Sequence, residues 1–91
     1  MQVIHSYKLS PLKDEQDLEL PLDAKILSAQ SLGGGPILWV QQGLEKQPLV
    51  RRRFLLVGTG CDVDDTNLQY LGTVQAGIFV WHIFERRGPR S

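Results

Sequence analysis

One cysteine in 91 residues cannot close an intrachain disulfide. That removes the stapled, secreted class of small domain and points to a reducing cytoplasm. No apolar run approaches the ~18 residues of a membrane-spanning helix. Nor is Met1 followed by the basic region and apolar core of a secretory leader. Charge of one sign is missing as well, since ten Lys and Arg stand against ten Asp and Glu. A chain without net charge lacks the long-range field of a nucleic-acid coat or a polybasic membrane binder, and its copies do not repel one another. A DNA-coating role and a membrane role are therefore not expected, whereas a homo-oligomer is. The chain has no internal repeat and no low-complexity tract.

What is present is 42% apolar and 22% charged, the composition of one small globular domain. Residues 3–9 alternate, with Val3, His5, Tyr7 and Leu9 on one face, and Pro11 ends the run. A short alternating run covers residues 17–20. Residues 25–32 allow a short helix on composition, but they lack a capping box and end in Gly33-Gly34-Gly35, so they read as a strand, paired across a glycine hairpin with residues 37–41. Residues 49–57 carry three arginines and then Phe54-Leu55-Leu56-Val57. In strand register Arg51 and Arg53 share a face with Leu55 and Val57, and Arg52 shares one with Phe54 and Leu56. Residues 68–71 resume an extended pattern up to Gly72. Residues 78–84 are apolar on both faces, which predicts a central strand. The expectation is an all-β domain of six to seven short antiparallel strands over residues 1–85, a sandwich or partly open barrel. A loose tail is expected over residues 86–91.

Several groups are candidates for a site. Gly58-Thr59-Gly60 follows an apolar strand, and two glycines allow backbone N–H groups to converge on an anion, with the Thr59 hydroxyl as an extra donor. The third glycine of a dinucleotide fingerprint and the lysine of a P-loop are absent, and a plain tight turn is the competing reading. Arg51, Arg52 and Arg53, with Arg86 and Arg87, are the dense positive charges. They either form a phosphate-holding patch or a cross-strand ladder with Glu85, Glu45 or Glu19. Trp39 and Trp81 are core residues first, and stacking platforms if exposed beside an arginine. Asp62, Asp64 and Asp65 cluster, but Asn67 and Thr73 stand where a calcium loop needs Gly and Glu, so a solvated acidic turn is expected and no metal site. Cys61, His5 and His82 are too few and too scattered for zinc, and they do not by themselves indicate a thiol–imidazole pair.

Taken together, Ala24-Lys25-Ile26-Leu27-Ser28, Ile37-Leu38-Trp39, Gly58-Thr59-Gly60, Tyr70-Leu71-Gly72-Thr73 and Phe79-Val80-Trp81-His82-Ile83-Phe84-Glu85 resemble a family of small proteins of unknown function from phages and prophages. The resemblance spans about residues 4–85. It departs at Cys61, where members often carry His, which argues against an indispensable ligand or base there. The resemblance implies a setting, the antagonism of bacterial immunity in the host cytoplasm. The functional expectation is a cofactor-free, non-enzymatic binding protein that sequesters a small anionic, nucleotide-derived signal. Gly58, Thr59 and Gly60 would give backbone donors, Arg51 and Arg53 or Arg86 and Arg87 would offset phosphate, and Trp39 or Trp81 would stack. The alternative is a protein–protein inhibitor that presents a strand edge or aromatic patch to a host defence complex. A hydrolase of such signals would need Asp62, Asp64 or His82.

Overall fold

The computed structural model describes residues 1–63 and 67–87. Seven antiparallel strands follow one another: β1 (Gln2–Lys8), β2 (Glu15–Pro21), β3 (Lys25–Leu32), β4 (Gly35–Gly43), β5 (Leu49–Gly58), β6 (Leu68–Ala76) and β7 (Phe79–Arg86). They form a three-stranded sheet in the order β1-β4-β3 and a four-stranded sheet in the order β2-β5-β7-β6. The all-β expectation holds. Gly33 and Gly34, with φ of 63° and 84°, make the two-residue turn that pairs Leu32 with Gly35.

The alternation read from the sequence sets the faces. Phe54 and Leu56 of β5, Ile83 of β7 and Val74 of β6 meet Ala29, Leu38 and Val40 of the other sheet, with Leu9 just beyond β1, in one buried core. The sheets touch through β3 and β6. A Cβ on Gly72 would stand 3.2 Å from the Ala29 Cβ and 3.3 Å from the Ala29 carbonyl oxygen, so glycine is what lets the two backbones close. A register shift between Tyr70 and Gly72 lets β6 continue to Ala76, where the sequence suggests a stop at Gly72.

Two further expectations need correction. β7 is central, flanked by β5 and β6, but it is not buried on both faces: Val80, His82 and Phe84 are half-buried because, among the described residues, no third layer covers that side. The tail expected from residue 86 starts inside β7, whose last residue is Arg86. Residues 88–91, like Asp64 and Asp65 of the expected acidic turn, lie outside the described residues.

Candidate functional site

On the outer face of the four-stranded sheet, register sets β2 carboxylates against β5 arginines: Asp17 opposite Arg53, Glu19 opposite Arg51. Arg53 grips Asp17 with two nitrogens, Nε–Oδ1 at 2.8 Å and Nη2–Oδ2 at 3.2 Å, and reaches Glu15 at 3.3 Å. Arg86 joins Glu15 at 3.1 Å. The hydrogen bond from Arg53 holds the Asp17 carboxyl below its usual range, and the same bond raises the guanidinium. The arginines here form the cross-strand ladder, with Asp17 and Glu15 as partners beside Glu19. Arg53 and Arg86 therefore face carboxylates of their own sheet.

The Gly-Thr-Gly turn lies at the far end of β5, five extended residues, about 17 Å, beyond Arg53. Gly58 pairs with Trp81, and its carbonyl accepts the Cys61 N–H at 3.0 Å, so one amide of the turn is spent internally. The small hollow beside it, about 210 Å³, is lined by Asp14, Glu15 and Asp62. Three carboxylates there oppose an anion. Trp39 lies in the other sheet and donates its indole N–H to Gln30 at 2.8 Å. Trp81 is half-buried and stacks on Phe79, with ring centroids 5.5 Å apart. Of the nine candidate residues, register joins Gly58 with Trp81, while Arg51, Arg53 and Trp39 stand apart from them.

Thr59 instead begins a hydroxyl chain that the sequence did not reveal. Its Oγ1 lies 3.0 Å from His82 Nε2, His82 Nδ1 lies 2.9 Å from Thr73 Oγ1, and Thr73 Oγ1 lies 2.5 Å from the Tyr70 hydroxyl. Both ring nitrogens are thereby held and the imidazole is fixed in plane. Neutral imidazole gives one N–H and accepts at the other nitrogen, so the chain runs in one direction at a time. Cys61 is exposed and free, and His5 lies on β1 in the other sheet. Among the described residues, no three His, Cys, Asp or Glu gather to hold a metal ion.

A further group of charged side chains lies between the sheets, in a groove of about 510 Å³. It is lined by the chain from the end of β2 into β3, with Leu22, Lys25 and Ile26, by Val50 of β5 and Leu71 and Gln69 of β6, and by Arg52, Glu85 and Arg87. Arg52 points inward because it shares the face of Phe54 and Leu56. Its Nε and Nη2 clamp Glu85 at 2.5 and 2.8 Å, and its Nη1 donates to the Ala24 carbonyl at 2.8 Å. Glu85 is the buried charged residue of the core, 5% exposed. Arg87 donates to Gln69. Of the nine residues expected to hold a ligand, Arg87 alone lines this groove, joined there by Arg52 and Glu85, which the sequence offered as members of a charged patch or ladder. Lys25, Gln69 and the hydrophobic walls were missed, since only the packing of β3 on β6 brings them together.

The profile of a domain of unknown function, DUF7352, matches residues 1–91. The chain belongs to that family. No curated protein and no solved structure matches the chain. The DUF7352 family has no assigned activity, and the match carries no information on phage or prophage origin. The chemistry of this DUF7352 domain lies in its groove, its hydroxyl chain and its exposed apolar groups.

Proposed function

We propose that this DUF7352 domain is a non-enzymatic binding module that takes up a small anionic ligand, of the class of nucleotide-derived signals, in the groove between its sheets. The observation that carries the reading is the groove's charge. Lys25, Arg52 and Arg87 outnumber Glu85 in a hollow of about 510 Å³, within the ~300–1,000 Å³ range of small-molecule sites. Because Arg52 is committed to Glu85, Lys25 and Arg87 supply the balance that attracts an anion. Leu22, Ile26, Val50 and Leu71 would cover the ligand's flat part, in the role that Trp39 or Trp81 was expected to fill. On this reading the held signal is withheld from an immune effector in the cytoplasm of a host cell.

Differential scanning fluorimetry with a panel of cyclic nucleotides and ADP-ribose derivatives tests this. A ligand at a hundred times its Kd stabilises by about 2.7 kcal/mol, a rise of roughly 10–20 °C for a domain of this size. The rise is expected to disappear in Lys25→Glu and Arg87→Glu. No shift above buffer for any compound rejects the reading.

A second reading rests on the β6–β7 turn, where Ile78 is 90% and Phe79 57% exposed, with Phe79 stacked on Trp81. An apolar tip on a two-residue hairpin suits a protein partner, such as a host defence complex. Here the expected result is one stoichiometric partner retrieved from bacterial lysate and lost in Ile78→Asp, with no ligand effect on melting.

A further inference from the structure

Four strands stand at sheet margins: β1 and β3 in one sheet, β2 and β6 in the other. Three of them carry a device against further pairing. The bonds Leu56 N–Asp14 O and Leu22 N–Pro48 O fix the even-numbered residues of β2 as those joined to β5. Its open side is therefore Glu15, Asp17, Glu19 and Pro21, where a second β2 would bring carboxylates together and proline has no N–H to give. β3 carries a bulge between Ile26 and Ser28 and lies against β6. β6 carries its own between Tyr70 and Gly72.

β1 has no such device. Over Gln2–Lys8 it holds no proline, no bulge and, apart from Lys8, no Lys, Arg, Asp or Glu. The bonds Leu9 N–Pro36 O at 3.0 Å and Leu44 N–Met1 O at 3.4 Å show that its odd-numbered residues pair with β4. Gln2, Ile4, Ser6 and Lys8 accordingly turn their N–H and C=O groups to the open side.

We infer that two copies of this chain associate through β1, antiparallel across a two-fold axis at His5, to make one continuous six-stranded sheet. The register follows from the open groups. Gln2 opposite Lys8 and Ile4 opposite Ser6, with their reciprocals, uses all four residues of each copy at two bonds per pair; a slip of two residues loses one pair. In that register Lys8 meets Gln2, so no like charges oppose, and the chain's zero net charge adds no repulsion. Val3 and Tyr7, both half-buried, face each other across the axis, and Ile4, 58% exposed, gains a neighbour. A foreign strand would have to match this pattern by chance, whereas a second copy matches itself. The pairing consumes the edge on both copies, so assembly closes at two. It stands apart from what the groove binds.

The register makes a sharp test. His5 opposite His5 is a non-hydrogen-bonded pair, with Cα atoms about 4.5 Å apart and within disulfide reach. Val3 lies about 13 Å from its own copy. In a Cys61→Ser background, His5→Cys is expected to crosslink to dimer under mild oxidation at least tenfold faster than Val3→Cys. Light scattering of the full chain is expected to give twice the monomer mass at high concentration. Ser6→Pro, which removes an N–H that β4 does not use, returns it to monomer with its circular dichroism unchanged. Amide exchange supplies a readout that needs no variant: Ile4, Ser6 and Lys8 slow at least tenfold as the dimer forms. A monomer at every concentration overturns the inference. So does a dimer in which His5→Cys crosslinks no faster than Val3→Cys, or in which those amides exchange freely.

Discussion

Replacing Arg52 with methionine keeps the aliphatic stem but strips the partner from Glu85, whose side chain is 7% exposed, and a donor from the Ala24 carbonyl. Removing one member of a buried pair costs about 3–5 kcal/mol, because the other charge remains out of water. Arg52 is itself 21% exposed, so water reaches the gap and the lower end, about 3 kcal/mol, applies. The orphaned Ala24 carbonyl adds about 1 kcal/mol. Against a total stability of about 5–14 kcal/mol for a domain of this size, roughly 4 kcal/mol is a severe loss, equivalent to a melting temperature about 15–30 °C lower. Adding Glu85→Leu removes the stranded charge and is expected to return most of the loss, to within about 1 kcal/mol of the parent. Urea unfolding followed by tryptophan fluorescence, on both single variants and the double, gives the coupling directly, expected at about 2 kcal/mol or more. An Arg52→Met cost below about 1 kcal/mol, or effects that merely add, would refute the claim that this pair is a desolvated unit.

Other outcomes follow from particular contacts. Gly72→Ala sets a methyl 3.2 Å from the Ala29 Cβ and 3.3 Å from its carbonyl, and since β3 backbone cannot step aside the variant should lose about 1–3 kcal/mol; an unchanged melting temperature would contradict the close approach of β3 and β6. Asp17, held below its usual range by Arg53, contributes stability that is present above its unfolded pKa and lost as pH falls through its lowered folded value. Asp17→Asn should therefore flatten part of the acid limb of a stability profile between about pH 5 and pH 2, and an identical slope in the variant would exclude the pair from that limb. Thr73→Val removes the partner of His82 Nδ1 and Thr59→Val that of Nε2, and since the two nitrogens share one tautomeric proton, nitrogen NMR should show the ring resonances displaced from the parent in each variant; an unchanged imidazole spectrum in either variant would disprove the chain as drawn.

The local pattern was legible wherever one physical rule acted alone. Alternation placed Phe54 and Leu56 opposite Arg51 and Arg53, and the glycines after Leu32 marked the hairpin, because side-chain period and left-handed φ are properties of a few adjacent residues. β3 has the bounds that the sequence predicts. The end of β6 was missed for the converse reason: Gly72 reads as a stop, yet its lack of a side chain serves a contact with Ala29, forty-three residues earlier in the chain.

The sequence by itself determined an all-β chain, the face on which each β5 arginine lies and a set of charges that cancel. Tertiary structure decided what those charges do. Register gave Arg53 to Asp17 and Glu15, and packing turned Arg52 inward onto Glu85. The same packing joined Lys25 and Arg87 across a groove. Periodicity tells which way a side chain points. Which strand it meets depends on loop closures and on the fit of two sheets, and no short stretch of residues encodes either.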